Sequence, residues 1–388
     1  MDTQEEDKGK GTVIEAQALV LNKIYWYHGL MPRDEIEDLL KNDGDFIVRK
    51  TDVGSKDKLV VSVKCNKVRH VLIKVSNDVR FHITDQLSFD TVERMICFYV
   101  GSKAEIFPDG TKLLKPIKRP EWYLLHDNIK LKNKVGSGSF GDVYIAELTE
   151  KDRKFDVAVK MLKGKLGKKE RAGFVKEASL TRRFNHPNIV RLLGIAAQID
   201  PLMVVLELAP GGALKGHLQK NPTLHVDTLN RYLLDAAKGL KYLSEMGVIH
   251  RDIAARNCLL GEDMTVKISD FGLSVATAEV KESKLMKVPI KWLAPETLGK
   301  GIFSVKTDVY SFGVMMWEVY TYCKNDPYSN MPNSEARISI QSGKTLDVPA
   351  GIPTFAEEIM KDCWKKEPEG RPSFSQIVDR FTSEVESK

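Results

Sequence analysis

The sequence has few cysteines and no long apolar run, and each of these features excludes a class of protein. Its five cysteines form an odd, widely spaced set without a C-x-x-C pair: Cys65, Cys97, Cys258, Cys323 and Cys363. This pattern predicts free thiols in a reducing compartment, neither a disulfide framework nor a zinc site. No apolar stretch approaches the ~18 residues that a transmembrane helix needs, so we expect no intrinsic membrane anchor.

An excess of charge is also missing. The 388 residues include 59 Lys+Arg and 53 Asp+Glu, which gives a net charge of +6. So small an excess does not indicate a nucleic-acid-binding protein. The charged N-terminus is not a secretory signal, and Asp2 after the initiator Met excludes N-myristoylation. The expected location is cytoplasmic, and any membrane-associated, junctional or nuclear pool would depend on partners.

Shifts in composition divide the chain into four segments. Residues 1–24 predict a flexible N-terminal arm. In residues 25–117 a helical pattern, several short strands and a second helical pattern predict an antiparallel sheet flanked by two helices. A basic, proline-bounded linker covers residues 118–128. Strand patterns followed by long helical patterns in residues 129–386 predict a domain of two lobes, so the expected fold class is α+β.

A glycine-rich segment stands between two strand patterns near the start of the last domain. It consists of Gly136, Ser137, Gly138, Ser139, Phe140 and Gly141. Glycines let backbone N–H groups approach phosphates without interference from Cβ atoms. The pattern alone is weak, because a hairpin turn or a dinucleotide-binding loop can carry it. The dinucleotide alternative needs a helix next, whereas a strand pattern follows, so the sequence favours a β-hairpin over a nucleotide.

Lys160 lies in the otherwise apolar strand pattern Val-Ala-Val-Lys. A lone lysine of this kind is more often an edge residue that faces water. However, Glu177 follows in a helical pattern and could fix the ammonium group against the α- and β-phosphates of a nucleotide.

The strongest motif begins at His250 with the sequence H-R-D-I-A-A-R-N, and a D-F-G motif follows at Asp270. Asp252 can accept a proton from a hydroxyl nucleophile, and Asn257 and Asp270 offer the oxygen ligands that Mg²⁺ prefers. Any one Asp could be a helix cap or a turn residue. Their joint occurrence in this order predicts phosphoryl transfer from ATP with Mg²⁺, with Mn²⁺ as an alternative ion.

These motifs together resemble a protein kinase catalytic domain. The resemblance implies that ATP lies between two lobes and that Glu296 and Arg371 form a buried ion pair. It implies adenine contacts from Val143, Ala158, Leu206, Glu207, Ala209 and Leu259. The loop D-I-A-A-R-N and the segment Pro289-Ile-Lys-Trp resemble tyrosine kinases, in which Arg256 would supply charge near the transferred phosphate. Serine/threonine kinases usually carry a lysine two residues after the catalytic aspartate, which disfavours that alternative.

An arginine in the first domain suggests a second phosphate site. Arg49 ends the short apolar strand pattern Phe-Ile-Val-Arg, where it shares one face with Ile47. A buried guanidinium needs an anion, and the tetrapeptide alone favours pairing with a structural carboxylate. Residues 26–117, however, resemble an SH2 domain throughout. The resemblance implies a phosphotyrosine pocket in which Arg49 grips the phosphate, Arg33 stacks on the ring, and Thr51 and His70 contribute.

The order SH2, short linker and kinase resembles the Fes/Fer group of non-receptor tyrosine kinases. The long F-BAR and coiled-coil region of that group is not expected here, because only about 24 residues precede the SH2 domain. The segment from Asp270 to Glu296 contains no tyrosine, although the group normally phosphorylates one there, and Lys281 stands near its expected position. In relatives that phosphate would pair with the arginine that matches Arg251.

The sequence therefore predicts an ATP-dependent protein-tyrosine kinase that acts in intracellular signalling. Its expected partners are tyrosine-phosphorylated proteins, bound through the SH2 domain, and protein substrates. Without the loop tyrosine we expect basal activity, activation by docking of the SH2 domain on the small lobe, or weak activity. The alternative function is an SH2-directed adaptor with weak or dispensable kinase activity.

Overall fold

The computed structural model describes residues 13–53, 56–138, 141–162, 167–283 and 288–385. The chain forms two compact units. The first unit comprises Met1–Ser179 with Leu192–Leu206, and the second comprises Leu180–Arg191 with Glu207–Lys388. Helices and sheets occur in both units, as the α+β prediction requires. Within the described ranges, no helix has the length and apolarity to cross a bilayer. The five cysteines are free thiols, as predicted.

The first unit opens with a five-stranded sheet in the order β4-β3-β2-β1-β5. Its elements are α1 (13–21), α2 (Arg33–Glu37), β1 (Asp45–Val53), β2 (Lys56–Cys65), β3 (Lys67–Val75), β4 (Phe81–His82), α3 (Val92–Ser102) and β5 (Lys115–Pro116). Strands β1 to β4 are antiparallel, and β5 adds a parallel edge to β1. The predicted antiparallel sheet with flanking helices is confirmed.

Helix α1 differs from the flexible arm predicted over residues 1–24. Ile14, Ala18 and Leu21 are at most 2% exposed and belong to the same hydrophobic core as the strands. These positions repeat at helical spacing, so they form one apolar face that the sheet buries. The prediction is therefore wrong for residues 13–21, while residues 1–12 lie outside the described part of the chain.

The first unit continues with a second five-stranded sheet in the order β6-β7-β8-β10-β9. Its elements are β6 (Ile129–Gly138), β7 (Gly141–Glu150), β8 (Arg153–Met161), α4 (Lys168–Thr181), β9 (Leu192–Ala196) and β10 (Met203–Glu207). Strands β6 and β7 form the predicted hairpin across the glycine-rich segment. Gly141 has a φ of +154°, and a Cβ there would overlap the backbone oxygen of Met161. Only glycine permits this approach.

The second unit is mainly helical. Its helices are α5 (Leu214–Lys220), α6 (Val226–Glu245), α7 (Pro295–Lys300), α8 (Val305–Tyr320), α9 (Asn333–Gln341), α10 (Thr354–Cys363) and α11 (Phe374–Val385). Its short strands are β11 (Gly212–Ala213), β12 (Val248–Ile249), β13 (Cys258–Leu260), β14 (Val266–Ile268), β15 (Val275–Ala276), β16 (Glu279–Lys281) and β17 (Ile302–Ser304). Helix α8 is almost wholly buried in the hydrophobic core of this unit.

The predicted ion pair between Glu296 and Arg371 is confirmed. Arg371 Nη1 and Nη2 donate to the two oxygens of Glu296 at 2.6 and 2.9 Å. The arginine side chain is completely buried, and it also donates to the backbone oxygens of Lys306, Lys365 and Lys366. Glu296 thus neutralises a cation that has no access to water.

Candidate functional site

One face of the second sheet carries the nucleotide-site residues predicted for the first unit. Val157 and Val159 on β8 are fully buried, whereas Ala158 and Lys160 alternate with them and are half-buried. Val143 on β7 pairs directly with Lys160. The alternation of a β-strand therefore places Ala158 and Lys160 on the face opposite the core of this sheet.

Lys160 and Glu177 meet across β8 and α4. Lys160 Nζ donates to Glu177 Oε1 at 2.8 Å, and the two side chains are 15% and 17% exposed. The glutamate holds the ammonium group at the sheet face where Val143 and Ala158 lie. Within the glycine-rich hairpin, Gly136 pairs with Val143, while Ser139 and Phe140 lie outside the described residues.

The predicted adenine-contacting segment begins where the chain passes from the first unit to the second. Leu206 ends the paired part of β10. The N–H of Glu207 donates to the backbone oxygen of Arg191 at 3.0 Å, so a nucleotide could bond the Glu207 backbone only through its carbonyl. The backbone oxygen of Ala209 accepts from Gly212 N–H at 3.1 Å, and the N–H of Ala209 has no backbone partner within the described ranges. Half-buried Leu259 lies on β13.

The catalytic-loop residues converge on Asp252 in the second unit. Arg256 Nη2 donates to Asp252 Oδ1, and Asn257 Nδ2 donates to Asp252 Oδ2 at 2.7 Å. The Arg256 guanidinium also lies 4.4 Å over the ring of Trp292. Two donors therefore fix the carboxylate of Asp252, and the aromatic ring supports one of them.

His250 connects this loop to the segment before Asp270. Its Nδ1 accepts from Asp252 N–H at 3.3 Å, and its Nε2 bonds the backbone oxygen of Ser269 at 3.1 Å. Burial lowers the pKa of His250, which keeps the ring neutral and suited to this pair of bonds. Asp270 has a φ of +62°, a conformation that is costly for a non-glycine residue and recurs at functional sites.

Two carboxylates of α8, whose contacts the sequence did not predict, support the loop. Glu318 on α8 is 1% exposed and accepts from Ala255 N–H at 2.9 Å and from Trp292 Nε1 at 3.0 Å. Asp308 accepts from the backbone N–H groups of His250 and Arg251 at 2.7 and 2.9 Å. The only available signal was a carboxylate within the apolar pattern of α8, which gives no hint of its partner.

The first unit carries a buried cation at the predicted phosphotyrosine pocket. Arg49 is 5% exposed, and burial lowers its pKa to about 10. Its Nε donates to Ser62 Oγ at 3.3 Å, and that oxygen lies 2.9 Å from His70 Nδ1. Among the described residues no carboxylate forms an ion pair with Arg49. The alternative of a structural carboxylate is therefore not supported, and an anion from outside could pair with Arg49.

Glu37 on α2 joins the other predicted pocket residues. Its Oε1 accepts from Arg33 Nε at 2.7 Å and lies 3.0 Å from His70 Nε2. The hydrogen bond with His70, followed by that with Arg33, lowers the pKa of Glu37. Thr51 lies two residues after Arg49 on β1, is half-buried and makes no side-chain hydrogen bond in the described ranges. Sequence reasoning missed both Glu37 and Ser62, although a serine within an apolar strand was a visible signal.

A buried hydrophobic cluster within the first unit joins the two sheets. Residues of the first part of the unit in this cluster are Leu30, Met31, Ile36, Leu40 and Ile47. Residues of the second part in the same cluster are Tyr123, Leu162, Phe174, Val175, Ala178, Leu192, Ile195, Ala197, Leu202 and Val204. Helix α4, which carries Glu177, therefore packs in the same cluster as the strand that carries Arg49.

Comparison with known proteins identifies both domains. Residues 129–381 match the family of protein tyrosine and serine/threonine kinases, and residues 26–99 match the SH2 domain. The chain is 40% identical over 372 residues to Fer-related kinase 1 of Caenorhabditis elegans, with 94% of each chain covered. It is 39% identical to tyrosine-protein kinase Fer of Rattus norvegicus, where the match covers 92% of this chain and 43% of the rat protein.

A viral relative extends the comparison. The match to the tyrosine-protein kinase transforming protein Fps of avian sarcoma virus (strain PRCII) is 36% identical and covers 91% of this chain and 66% of that protein. The nematode relative has the same extent as this chain, while the rat protein is more than twice as long as the matched part. With an SH2 domain followed by a kinase domain, the chain belongs to the Fes/Fer group of protein-tyrosine kinases.

Proposed function

We propose that Asp252 is the general base of tyrosine phosphorylation by this chain. The observation that carries this proposal is the pair of donors on its carboxylate, Arg256 and Asn257. They orient its carboxylate, so that it can accept the proton of a tyrosine hydroxyl as the phosphoryl group is transferred. Arg256, stacked on Trp292, places positive charge beside that carboxylate, where it would stabilise charge on the transferred phosphate.

The metal ion of the reaction would be Mg²⁺, held by Asn257 and Asp270. The Nδ2 group of Asn257 donates to Asp252, which leaves its Oδ1 as a hard oxygen ligand. Asp270 offers a carboxylate, and Ser269 N–H donates to the Asn257 backbone oxygen at 2.9 Å, which ties the two segments together. When bound, Mg²⁺ would neutralise charge on the phosphates of ATP.

Lys160 would bind the α- and β-phosphates of ATP, because Glu177 holds its ammonium group in place. Val143 and Ala158 on the same face would contact the adenine ring, together with Leu206 and Leu259. The backbone carbonyl of Glu207 and the N–H of Ala209 would bond the polar edge of the base.

The SH2 domain would bring this activity to tyrosine-phosphorylated proteins. A phosphate would give buried Arg49 the anion that it lacks among the described side chains, with Arg33, Thr51 and His70 at the rim of the same pocket. Such partners would also decide whether the kinase works in the cytoplasm, at a membrane or at cell junctions. The proposed cytoplasmic location agrees with five free thiols.

Transfer of phosphate from Mg-ATP to a poly-Glu/Tyr peptide tests the assignment. We expect the Asp252→Asn variant to lose about 10²- to 10⁴-fold in kcat, since it lacks the base. Asp347→Asn is the matched control, because Asp347 is exposed in the same unit, and its rate should equal that of the wild type. Equal rates for the two variants would refute the assignment of Asp252. Absence of activity in the wild type would favour the alternative function, an SH2-directed adaptor.

A further inference from the structure

The segment from Asp270 to Glu296 contains no tyrosine. Kinase segments of this type are commonly ordered when an added phosphate pairs with an arginine. Here the arginine is present as Arg251, which directly precedes Asp252.

The guanidinium of Arg251 is largely buried and meets a carboxylate. Its side chain is 9% exposed, and Nη2 donates to Glu282 Oε1 at 2.8 Å. Nη1 donates to the backbone oxygen of Leu273 at 3.3 Å, and Cζ lies 4.1 Å from the centre of the Phe303 ring. Within the described ranges Glu282 is the one acidic residue that forms an ion pair with Arg251. It therefore compensates a cation that is mostly removed from water.

The backbone holds Glu282 in this position. Strand β16 pairs with β17, and Glu282 N–H then donates to the backbone oxygen of Gly301 at 2.9 Å. Gly301 has a φ of +71°, and a Cβ there would overlap the backbone oxygen of Glu282. Phe303, the ring beneath Arg251, lies on β17. The same two-stranded sheet thus positions both the carboxylate and the ring that enclose the guanidinium.

Arg251 is fixed from its backbone as well. Its φ is +72°, and its N–H donates to Asp308 Oδ1 at 2.9 Å. Asp308 thus holds the main chain of Arg251, while Glu282 holds its side chain. Because one peptide bond separates Arg251 from Asp252, movement of the arginine would be transmitted directly to the carboxylate of Asp252.

We propose that Glu282 is a positioning residue for phosphoryl transfer. Its carboxylate permanently supplies the negative charge that orders the segment against Arg251, and no phosphorylation of the segment is needed. This inference rests on the proposed function of Asp252. It extends that function by assigning a role to a residue that contacts neither ATP nor the tyrosine.

The test compares full-length variants after phosphatase treatment, with intact mass confirming that no phosphate remains. Wild-type protein should phosphorylate the poly-Glu/Tyr peptide under these conditions. Glu282→Gln keeps the size of the side chain but removes its charge. We expect its kcat to fall about tenfold with little change in the KM for ATP, because a charge-assisted hydrogen bond becomes a neutral one. Glu282→Asp restores the charge and should recover part of the lost kcat.

Glu279→Gln is the matched control, since Glu279 is exposed on β16 and has no ion pair in the described part of the chain. Its kcat should be unchanged, and thermal unfolding of each variant would show that it remains folded at the assay temperature. Equal kcat values for Glu282→Gln and Glu279→Gln would overturn the inference. So would a wild-type enzyme that loses activity on phosphatase treatment and regains it with ATP only when a phosphate is added to this segment. Inactivity of the wild type before any treatment would instead count against the proposed function.

Discussion

Leu30 donates its backbone N–H to the backbone oxygen of Ala197 at 2.6 Å, and this bond joins the SH2 domain to the kinase domain within the first unit. The preceding residue, Gly29, has a φ of +61°, and a Cβ there would overlap the backbone of Ala197 and Gln198. The glycine of the Trp-Tyr-His-Gly segment is therefore required by the approach of the kinase domain.

We expect Gly29→Ala to weaken this joint. The added Cβ would strain a left-handed backbone and displace Ala197, which should lower the free energy of unfolding by about 1–3 kcal/mol. Gly110→Ala is the matched control, because Gly110 also has a positive φ, of +85°, but has open space around its Cβ position. Thermal unfolding and hydrogen exchange at the Leu30 amide would measure the difference. Equal effects of the two substitutions would show that the contact with Ala197 contributes nothing.

The proposed phosphotyrosine pocket leads to two predictions that differ in size. Arg49→Ala should lower the affinity for a tyrosine-phosphorylated peptide about 100-fold, because a charge-assisted bond to phosphate is lost. Ser62→Ala should lower it about threefold to tenfold, since Arg49 loses the acceptor that orients its Nε. Calorimetry would measure both affinities, with Ser88→Ala as an exposed control in the same domain. A Ser62 variant with the affinity of the control would leave Arg49 as the sole determinant of the two.

Short-range patterns in the sequence identified many of the residues that the structure brings together at the two candidate sites. The alternation of β1 places Arg49 on the face of Ile47, as expected. The sequence could not predict the contacts that depend on strand register or on the packing of separate elements. Ser62 reaches Arg49 because β1 pairs with β2, and Glu318 reaches the catalytic loop because α8 is buried behind it.

Helix α1 and the Arg251–Glu282 ion pair show two further limits of sequence reasoning. The apolar spacing of Ile14, Ala18 and Leu21 was visible, but the surface that buries them exists only after the sheet has folded. Glu282 was one charge among several in a polar segment. Its role depends on the pairing of β16 with β17, whose paired residues lie 21 to 25 positions apart in the sequence.

Stability of the first unit should depend on pH through His28. This residue is 2% exposed, its Nε2 bonds the backbone oxygen of Ile117 at 3.0 Å, and its Nδ1 has no partner in the described ranges. Burial lowers its pKa from 6.5 to about 4, so the folded state favours the neutral ring. The contribution of the neutral His28 ring to the free energy of unfolding is fully present above pH 6.5. It is lost as pH falls towards 4, because the unfolded state binds the proton first.

Between pH 7 and 5 the loss from His28 should amount to about 2 kcal/mol in the free energy of unfolding. The His28→Gln variant cannot take up this proton, so its stability should change less over the same interval. Denaturant unfolding at several pH values would compare the two slopes. Parallel slopes for the two proteins would exclude His28 as the titrating group.

The Glu296–Arg371 ion pair should be among the positions of the second unit at which substitution lowers stability most. Glu296→Ala would leave the fully buried guanidinium of Arg371 without its carboxylate, at a loss of about 3–5 kcal/mol. Glu357→Ala removes one partner of an exposed pair with Lys361 on α10 and should change stability by less than about 1 kcal/mol. Thermal unfolding of both variants would measure this contrast. Similar melting temperatures would mean that the backbone oxygens around Arg371 suffice to hold it.

The charge that meets Arg251 is encoded in the gene, and this affects how a signal carried by the kinase could end. Phosphatases can remove a phosphate, but no enzyme of that class can remove the carboxylate of Glu282. Termination would then fall to dissociation of the phosphotyrosine partner, to dephosphorylation of the products, or to turnover of the protein. The duration of signalling would be set by where the kinase is held and how much of it is present.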